Sequence, residues 1–197
     1  MFYIMSLSLG NIWSNEKKNN TKTFTQPTVK RNVQKVLTVN KPIKVREGTR
    51  KSWGNATWFM FHSIAAKINK DWYAQNYTVV WDFIKNCCAN LPCPFCRDHA
   101  ANYIKHIRMT QINTKEKLIQ YMFDFHNSVN SRVINPIYKW NELNKYNNAN
   151  MNNIFRNFEI NFFKMYYNHK EFNGWIRNKF KEHYVQFLNV TRHHYHN

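Results

Sequence analysis

The sequence predicts an all-α fold, a four-helix bundle followed by a C-terminal helical extension. Three observations carry that prediction. Between Ser52 and Tyr146 apolar residues recur at helical spacing in four stretches, and they do so again in two stretches beyond it. The breaks between the stretches are short, and four helices joined by short loops form a bundle. The one short alternation, Val33 to Val39, makes a strand only with a partner.

The elements follow in order. Residues 1–50 read as a basic, mostly disordered arm, polar from about Ser14 onward and broken by Pro27, Pro42 and Gly48. Its start, Phe2 to Leu9, is apolar but lacks a basic lead and falls short of the roughly 20 residues that span a bilayer. Neither a signal peptide nor a transmembrane segment is expected. Residues 51–146 carry the bundle. Helix one is marked by Trp53, Phe61, Ile64, Ala65 and Ile68, and helix two by Val79, Val80, Phe83 and Ile84. Tyr103, Ile104 and Ile107 mark the third. Leu118, Ile119, Met122 and Phe123 mark the fourth, which Thr114 caps. Residues 147–197 add a helical pair that covers the bundle. One arm holds Ile154, Phe155, Phe158, Phe162 and Phe163; the other holds Trp175, Ile176, Phe180, Tyr184, Phe187 and Leu188, with Asn173-Gly174 as the break. His193, His194 and His196 read as a solvated tail.

Composition bounds the function. With 197 residues, 43% of them hydrophobic and 17% aromatic, the chain builds one well-buried domain with extensions. The formal charge of +18 attracts polyanions, acidic proteins or anionic surfaces. The basic residues are nevertheless spread along the whole chain and match no nucleic-acid motif, so a lysine-rich surface is the favoured reading and nucleic acid is not an expected partner. Four cysteines in a chain of this length do not make a disulfide scaffold. They read as a site in an otherwise reduced, intracellular protein.

The chemistry lies in two clusters. Cys93-Pro94-Phe95-Cys96 is a Cys-x-x-Cys pair with proline at the first position of a helix and Cys93 at its cap. Backbone N–H groups at a helix start favour a thiolate. That makes Cys93 the reactive, accessible sulfur, with Cys96, one turn on, facing inward. The spacing also serves half a zinc site, and Cys87 or Cys88 with His99 would complete four ligands. Cys87 and Cys88, adjacent on a helix, read as buried structural thiols. In the second cluster Trp58 and His62 share one helix face, as do His126 and Asn130. Rings with amide and imidazole donors suit a flat heteroaromatic ligand. Each taken singly is more often a core residue, but together with the cysteine pair they point to a redox disulfide beside a cofactor.

Three ordered segments, Trp53 to His62, Cys93 to Cys96 with His99, and His126-Asn127-Ser128-Val129-Asn130-Ser131-Arg132, resemble the Erv/ALR family of FAD-linked sulfhydryl oxidases. Asn135-Pro136-Ile137-Tyr138 is similar to its next block. The phrasing is most like the branch encoded by nucleocytoplasmic large DNA viruses, African swine fever virus included. The resemblance implies a four-helix bundle that holds FAD at one end, a short fifth helix across it, and a homodimer. Gly54, Trp58, His62, His126, Asn127, Asn130, Tyr138 and Trp140 would surround the cofactor, with Arg132 at its phosphates. Cys93 and Cys96 would be catalytic and no metal would be needed. A protein dithiol, thioredoxin-like or of the virion, would exchange with Cys93. Electrons would then pass from Cys96 to FAD and on to dioxygen, giving hydrogen peroxide in the host cytoplasm or the virion. Two family features are missing. No cysteine lies beyond Cys96 to form the structural disulfide of many members, and neither tail carries a shuttle pair, so substrate would meet Cys93 directly. A zinc-binding module and a basic nucleic-acid-binding protein are the rival readings.

Overall fold

The computed structural model describes residues 47–164 and 174–196. The arm assigned to residues 1–50 therefore falls, up to residue 46, outside the described residues, as does Asn173 of the expected break.

The chain runs through α1 (Glu47–Lys67), α2 (Lys70–Ala89), α3 (Pro94–Ile104) and α4 (Lys115–Arg132). A 3-10 helix, Trp140–Tyr146, follows as the short fifth element. Then come α5 (Met151–Phe158), one π-helical turn (Glu159–Phe163) and α6 (Gly174–Thr191). Local chemistry sets the starts. The Asn69 side chain accepts from the Trp72 N–H at 2.8 Å and opens α2. Thr114 caps α4 through Lys117 N at 3.4 Å, as its sequence signal predicts. Cys93 caps α3, and Pro94 takes the first helical position, where a missing N–H costs nothing.

Helix α1 is the centre. It packs on α4 to one side and on α5 with the π turn to the other. Ala56, Met60, His62 and Ser63 are buried along with the residues that marked its expected single face. Enclosure on several sides explains why its apolar residues do not keep to one stripe. Helix α2 packs on α3, α4 and α6, and one hydrophobic cluster runs from Trp53 of α1 through Trp81 and Phe83 of α2 to Phe187 of α6. The C-terminal helices thus share the bundle's core. Phe155, Phe158, Phe162, Phe180, Tyr184 and Phe187 are buried there, and the Phe83 and Phe187 rings stack at 3.9 Å.

Two expectations are corrected. Trp175 and Ile176, the first apolar residues of the last arm, are 69% and 37% exposed. They occupy the first turn of α6, before the helix reaches α2. The histidine tail is also not free in solvent. The His194 ring stacks on Trp72 at 4.6 Å, its carbonyl accepts from Asn69 N at 2.6 Å, and His196 N donates to the Lys67 carbonyl at 2.9 Å. The turn between α1 and α2 carries backbone groups that need partners, and the tail supplies them.

The burial pattern predicts contrasting mutants. Phe158→Ala, at a position with 0% exposure, should lower unfolding free energy by about 3–5 kcal/mol in urea titrations. Trp175→Ala should shift it by less than about 0.5 kcal/mol. Equal losses would contradict the packing described.

Candidate active site

The cysteine pair is built by the turn between α2 and α3. Asn90 ends α2 by donating its N–H to the Asn86 and Cys87 carbonyls, and the Arg97 guanidinium donates back to the Leu91 carbonyl at 2.8 Å. Cys93 Sγ accepts from the Cys96 N–H at 3.3 Å, so the start of α3 points a donor at that sulfur. A hydrogen bond of this kind, with the helix dipole behind it, favours negative charge on Cys93. Exposure runs opposite to expectation: Cys93 is buried at 5% exposure, whereas Cys96 is half-buried. The cause is the turn itself, which folds Cys93 under Leu91 and Pro92. Cys87 and Cys88 are fully buried on α2. Burial pushes the Cys88 thiol up to about 12 and raises Cys87 as well, so neither forms a thiolate at neutral pH.

Helix α4 holds the cysteine helix in place. Arg132 Nη1 donates to the Phe95 carbonyl, between the two cysteines, at 3.0 Å, and Ser128 Oγ lies 3.4 Å from His99 Nε2. Arg132 is thereby committed to the cysteine turn. His99 does not join the cysteines as a ligand. Among the described residues no three His, Cys, Asp or Glu side chains gather closely enough to hold a metal ion.

The same helix carries the aromatic cluster. His126 stacks on Trp58 with centroids 4.2 Å apart and planes 9° from parallel, and its Nδ1 lies 2.9 Å from His62 Nε2. The Tyr138 ring stacks on His126 at 4.9 Å and on His62 at 5.7 Å. Tyr138 comes here because α4 ends in a tight reversal. Asn135 N donates to the Asn130 carbonyl at 2.9 Å, and Asn130 Nδ2 donates to the Pro136 carbonyl at 3.1 Å. Ile134 within it has φ of 59°, a left-handed conformation that a β-branched side chain adopts only under constraint. Asn127 then fixes the returning strand of chain by accepting from Tyr138 N at 2.7 Å and donating to its carbonyl at 3.1 Å.

Trp58, His62, His126 and Tyr138 thus stack together, and Asn127 and Asn130 tie down the chain segment that brings Tyr138 to them. Trp140 does not reach this stack; it is 52% exposed and meets Phe123 edge-on at 5.0 Å. Gly54 lies one turn before Trp58, with nothing within 4 Å of where a Cβ would stand. Two residues of the cluster escape sequence reasoning. Tyr146 stacks on His62 at 4.9 Å, and Lys145 Nζ lies 5.0–5.2 Å from the Phe59, Tyr138 and Tyr146 ring centres. Both sit at the end of the 3-10 helix, whose three-residue period gives no helical stripe. The Lys139-x-x-Glu142 spacing was the available signal, since Glu142 Oε1 accepts from Lys139 N at 3.0 Å and starts the turn.

Burial, then His126, then Lys145 lower the His62 pKa to about 3. Burial and Lys145 lower that of His126 to about 4, against a small opposing pull from Glu142. Both imidazoles are neutral at pH 7. The unfolded chain binds their protons below about pH 6.5 and the folded chain does not, so stability should fall on acidification from about pH 6.5 toward 4, by up to about 1 kcal/mol per pH unit for each histidine. Urea unfolding across that range should show the slope, and His62→Asn should flatten it. A slope unchanged by the substitution would contradict the burial argument.

Comparisons with known proteins bear on this arrangement. The model of the Erv1 / Alr family matches residues 55–149, which span the aromatic cluster and the cysteine pair. FAD-linked sulfhydryl oxidases of African swine fever virus isolates from Kenya and Malawi are 33% identical over 92 residues and 32% identical over 105 residues. The matched regions cover 46% and 52% of this chain and 75% and 86% of those proteins. A protein of invertebrate iridescent virus 3 is 36% identical over 87 residues, 44% of this chain and only 59% of that protein's length. No solved structure gives a significant match. With relatives above 30% identity matched over three quarters or more of their length, and both motif clusters inside the matched region, this chain belongs to the Erv1 / Alr family.

Proposed function

We propose that the chain is an FAD-dependent thiol oxidase that makes disulfides in proteins through Cys93 and Cys96. One observation carries the reading: a single helix, α4, clamps the cysteine turn through Arg132 and Ser128 and also presents His126 and Asn127 to a stack of rings. The names of the viral relatives support the same activity.

The residues fit the cofactor. Trp58 and His126 stand too close to admit a third ring, which would need roughly 7 Å between them. A flat ligand would therefore be held by the faces of the cluster other than the space between those two rings. The open space beside Gly54, the imidazoles of His62 and His126 and the Lys145 cation would supply room, polar ring edges and charge, while the Asn127 and Asn130 amides hold the chain segment that carries Tyr138. When bound, FAD supplies a two-electron acceptor and the reaction with dioxygen that yields hydrogen peroxide. The neutral imidazoles and the aromatic walls give it a dry, uncharged rim, with Lys145 as the nearest cation.

The cysteines do the exchange. A substrate thiolate attacks Cys93 of the Cys93–Cys96 disulfide and forms a mixed disulfide, with the electron pair of the broken bond going to Cys96 as thiolate. The second substrate thiolate attacks the substrate sulfur of that mixed disulfide. The substrate disulfide forms, and Cys93 leaves as a thiolate that the Cys96 N–H and the α3 dipole stabilise. Two electrons now reside on the cysteine pair. Cys87 and Cys88 are too buried and too weakly acidic to relay them. Reduced thioredoxin-like or virion proteins are the proposed substrates, the host cytoplasm or the virion the proposed setting, and a homodimer the proposed assembly. No helix among the described residues is long and apolar enough to cross a membrane.

The test is a pair of variants. Cys96→Ser should lose oxygen consumption with a dithiol, by at least about 100-fold, while keeping the yellow flavin spectrum. Unimpaired oxygen uptake would overturn the assignment. Its remaining Cys93 should react with a disulfide reagent faster at pH 7 than Cys96 does in Cys93→Ser, because the helix cap favours the Cys93 thiolate. The reverse order would make Cys96 the exchange sulfur.

A further inference from the structure

A cavity of about 430 Å³ lies at the C-terminal end of α1. That volume falls among those of small-molecule sites. Lys67, Arg192, Tyr195 and His196 line it together with residues 147–152, and among the described residues no carboxylate does. Three independent features make its interior attractive to an anion.

The first is Lys67, only 5% exposed. Its Nζ donates to the carbonyl of Asn147 at 3.0 Å, a neutral acceptor, and no carboxylate pairs with it among the described residues. A cation held by a carbonyl and the C-terminal end of the α1 dipole has its charge available to an anion in the cavity. The second is the start of α5. Asn150 uses its side chain on Asn153 N at 3.1 Å and its carbonyl on Ile154 N at 3.0 Å. The N–H groups of Met151 and Asn152, which also line the cavity, belong to the first turn and have no acceptor within the helix. An anion in the cavity would lie at this helix start, with the positive end of the α5 dipole behind the free N–H groups. The third is preorganisation. The tail that brings Arg192 and His196 is fastened by His196 N to the Lys67 carbonyl at 2.9 Å and by Asn69 N to the His194 carbonyl, so the cationic wall is held in place before any ligand arrives.

We propose that this cavity binds the phosphate of a phosphorylated small molecule other than the flavin cofactor. The Lys67 ammonium, the Arg192 guanidinium and the α5 N–H groups take the phosphate oxygens, and the asparagine amides of residues 147–152 take the polar remainder. A guanidinium fork, a point cation and two backbone donors match a tetrahedral dianion better than a planar carboxylate.

The experiment is calorimetric titration of inorganic pyrophosphate into the full-length, FAD-loaded protein at fixed ionic strength. One-site saturable binding is expected. Arg192→Gln, an exposed position that the fold tolerates, should weaken it about tenfold, the loss of one charge-assisted bond. Lys67→Met should abolish it, and Arg192→Gln carries the test alone if that variant does not fold. The flavin spectrum should be unchanged in Arg192→Gln. No saturable binding, or equal binding in Arg192→Gln, overturns the proposal. Binding to the FAD-free protein that disappears on loading FAD also overturns it, because the cavity would then serve the cofactor's own diphosphate.

Discussion

The enclosure of α1 constrains everything else in the molecule. A helix buried on several sides leaves little solvent for its polar side chains, and apart from Ser63, whose buried hydroxyl has no hydrogen-bond partner, each bonds within the helix or to a group brought by another segment. Thr57 turns back onto the Trp53 carbonyl at 2.8 Å, within the helix. His62 cannot do so, and its partner His126 comes from α4. Lys67 reaches the Asn147 carbonyl, just past the 3-10 helix. The two polar residues that look outward from a nearly apolar core are therefore the places where distant parts of the chain are registered against one another. The aromatic cluster and the cavity lie at those two points.

Much of this was legible in the sequence, and the reason is locality. Thr114 and Cys93 act on N–H groups two or three residues away, and helical period is a property of neighbouring turns, so the starts of α3 and α4 and the apolar stretches could be read directly. The meeting of Trp58 with His126 was legible for a different reason. Two motifs with shared face spacing implied a common ligand, and the resemblance gave their pairing. What escaped depended on where chain reversals send a segment. Tyr146 and Lys145 join the cluster only because Asn127 and Asn130 turn the chain back along α4, which no periodicity records. The inverted exposure of Cys93 and Cys96 has the same origin in the turn above α3. The tail histidines looked solvated because their composition is polar; their docking is driven by unsatisfied backbone groups at Asn69 and Lys67, which the sequence does not display.

The missing structural disulfide of many relatives finds a physical substitute. Helix α4 and the chain after it are joined by paired amide bonds from Asn127 and one from Asn130, and α5, the π turn and α6 bring six buried aromatic rings against α1 and α2. Burying an aromatic side chain stabilises by about 1.5–3 kcal/mol, so one or two of these rings match what a covalent cross-link contributes, roughly 2–4 kcal/mol. No cysteine lies beyond Cys96, so this join is made without a covalent cross-link.

The fastening of the tail to the turn after α1 also governs the timing of folding. Asn69 and His194 are bonded across 125 positions of sequence, which makes this one of the longest loop closures the chain performs. At ribosomal rates of about 5–20 residues per second, the groups on Asn69 wait roughly 6–25 s for their partners to be made. Until α5 and the π turn are synthesised, α1 has bare apolar surface on the side opposite α4, a state open to chaperones and to association with neighbouring nascent chains. The central helix is among the first parts of the core to be synthesised and the last to be closed.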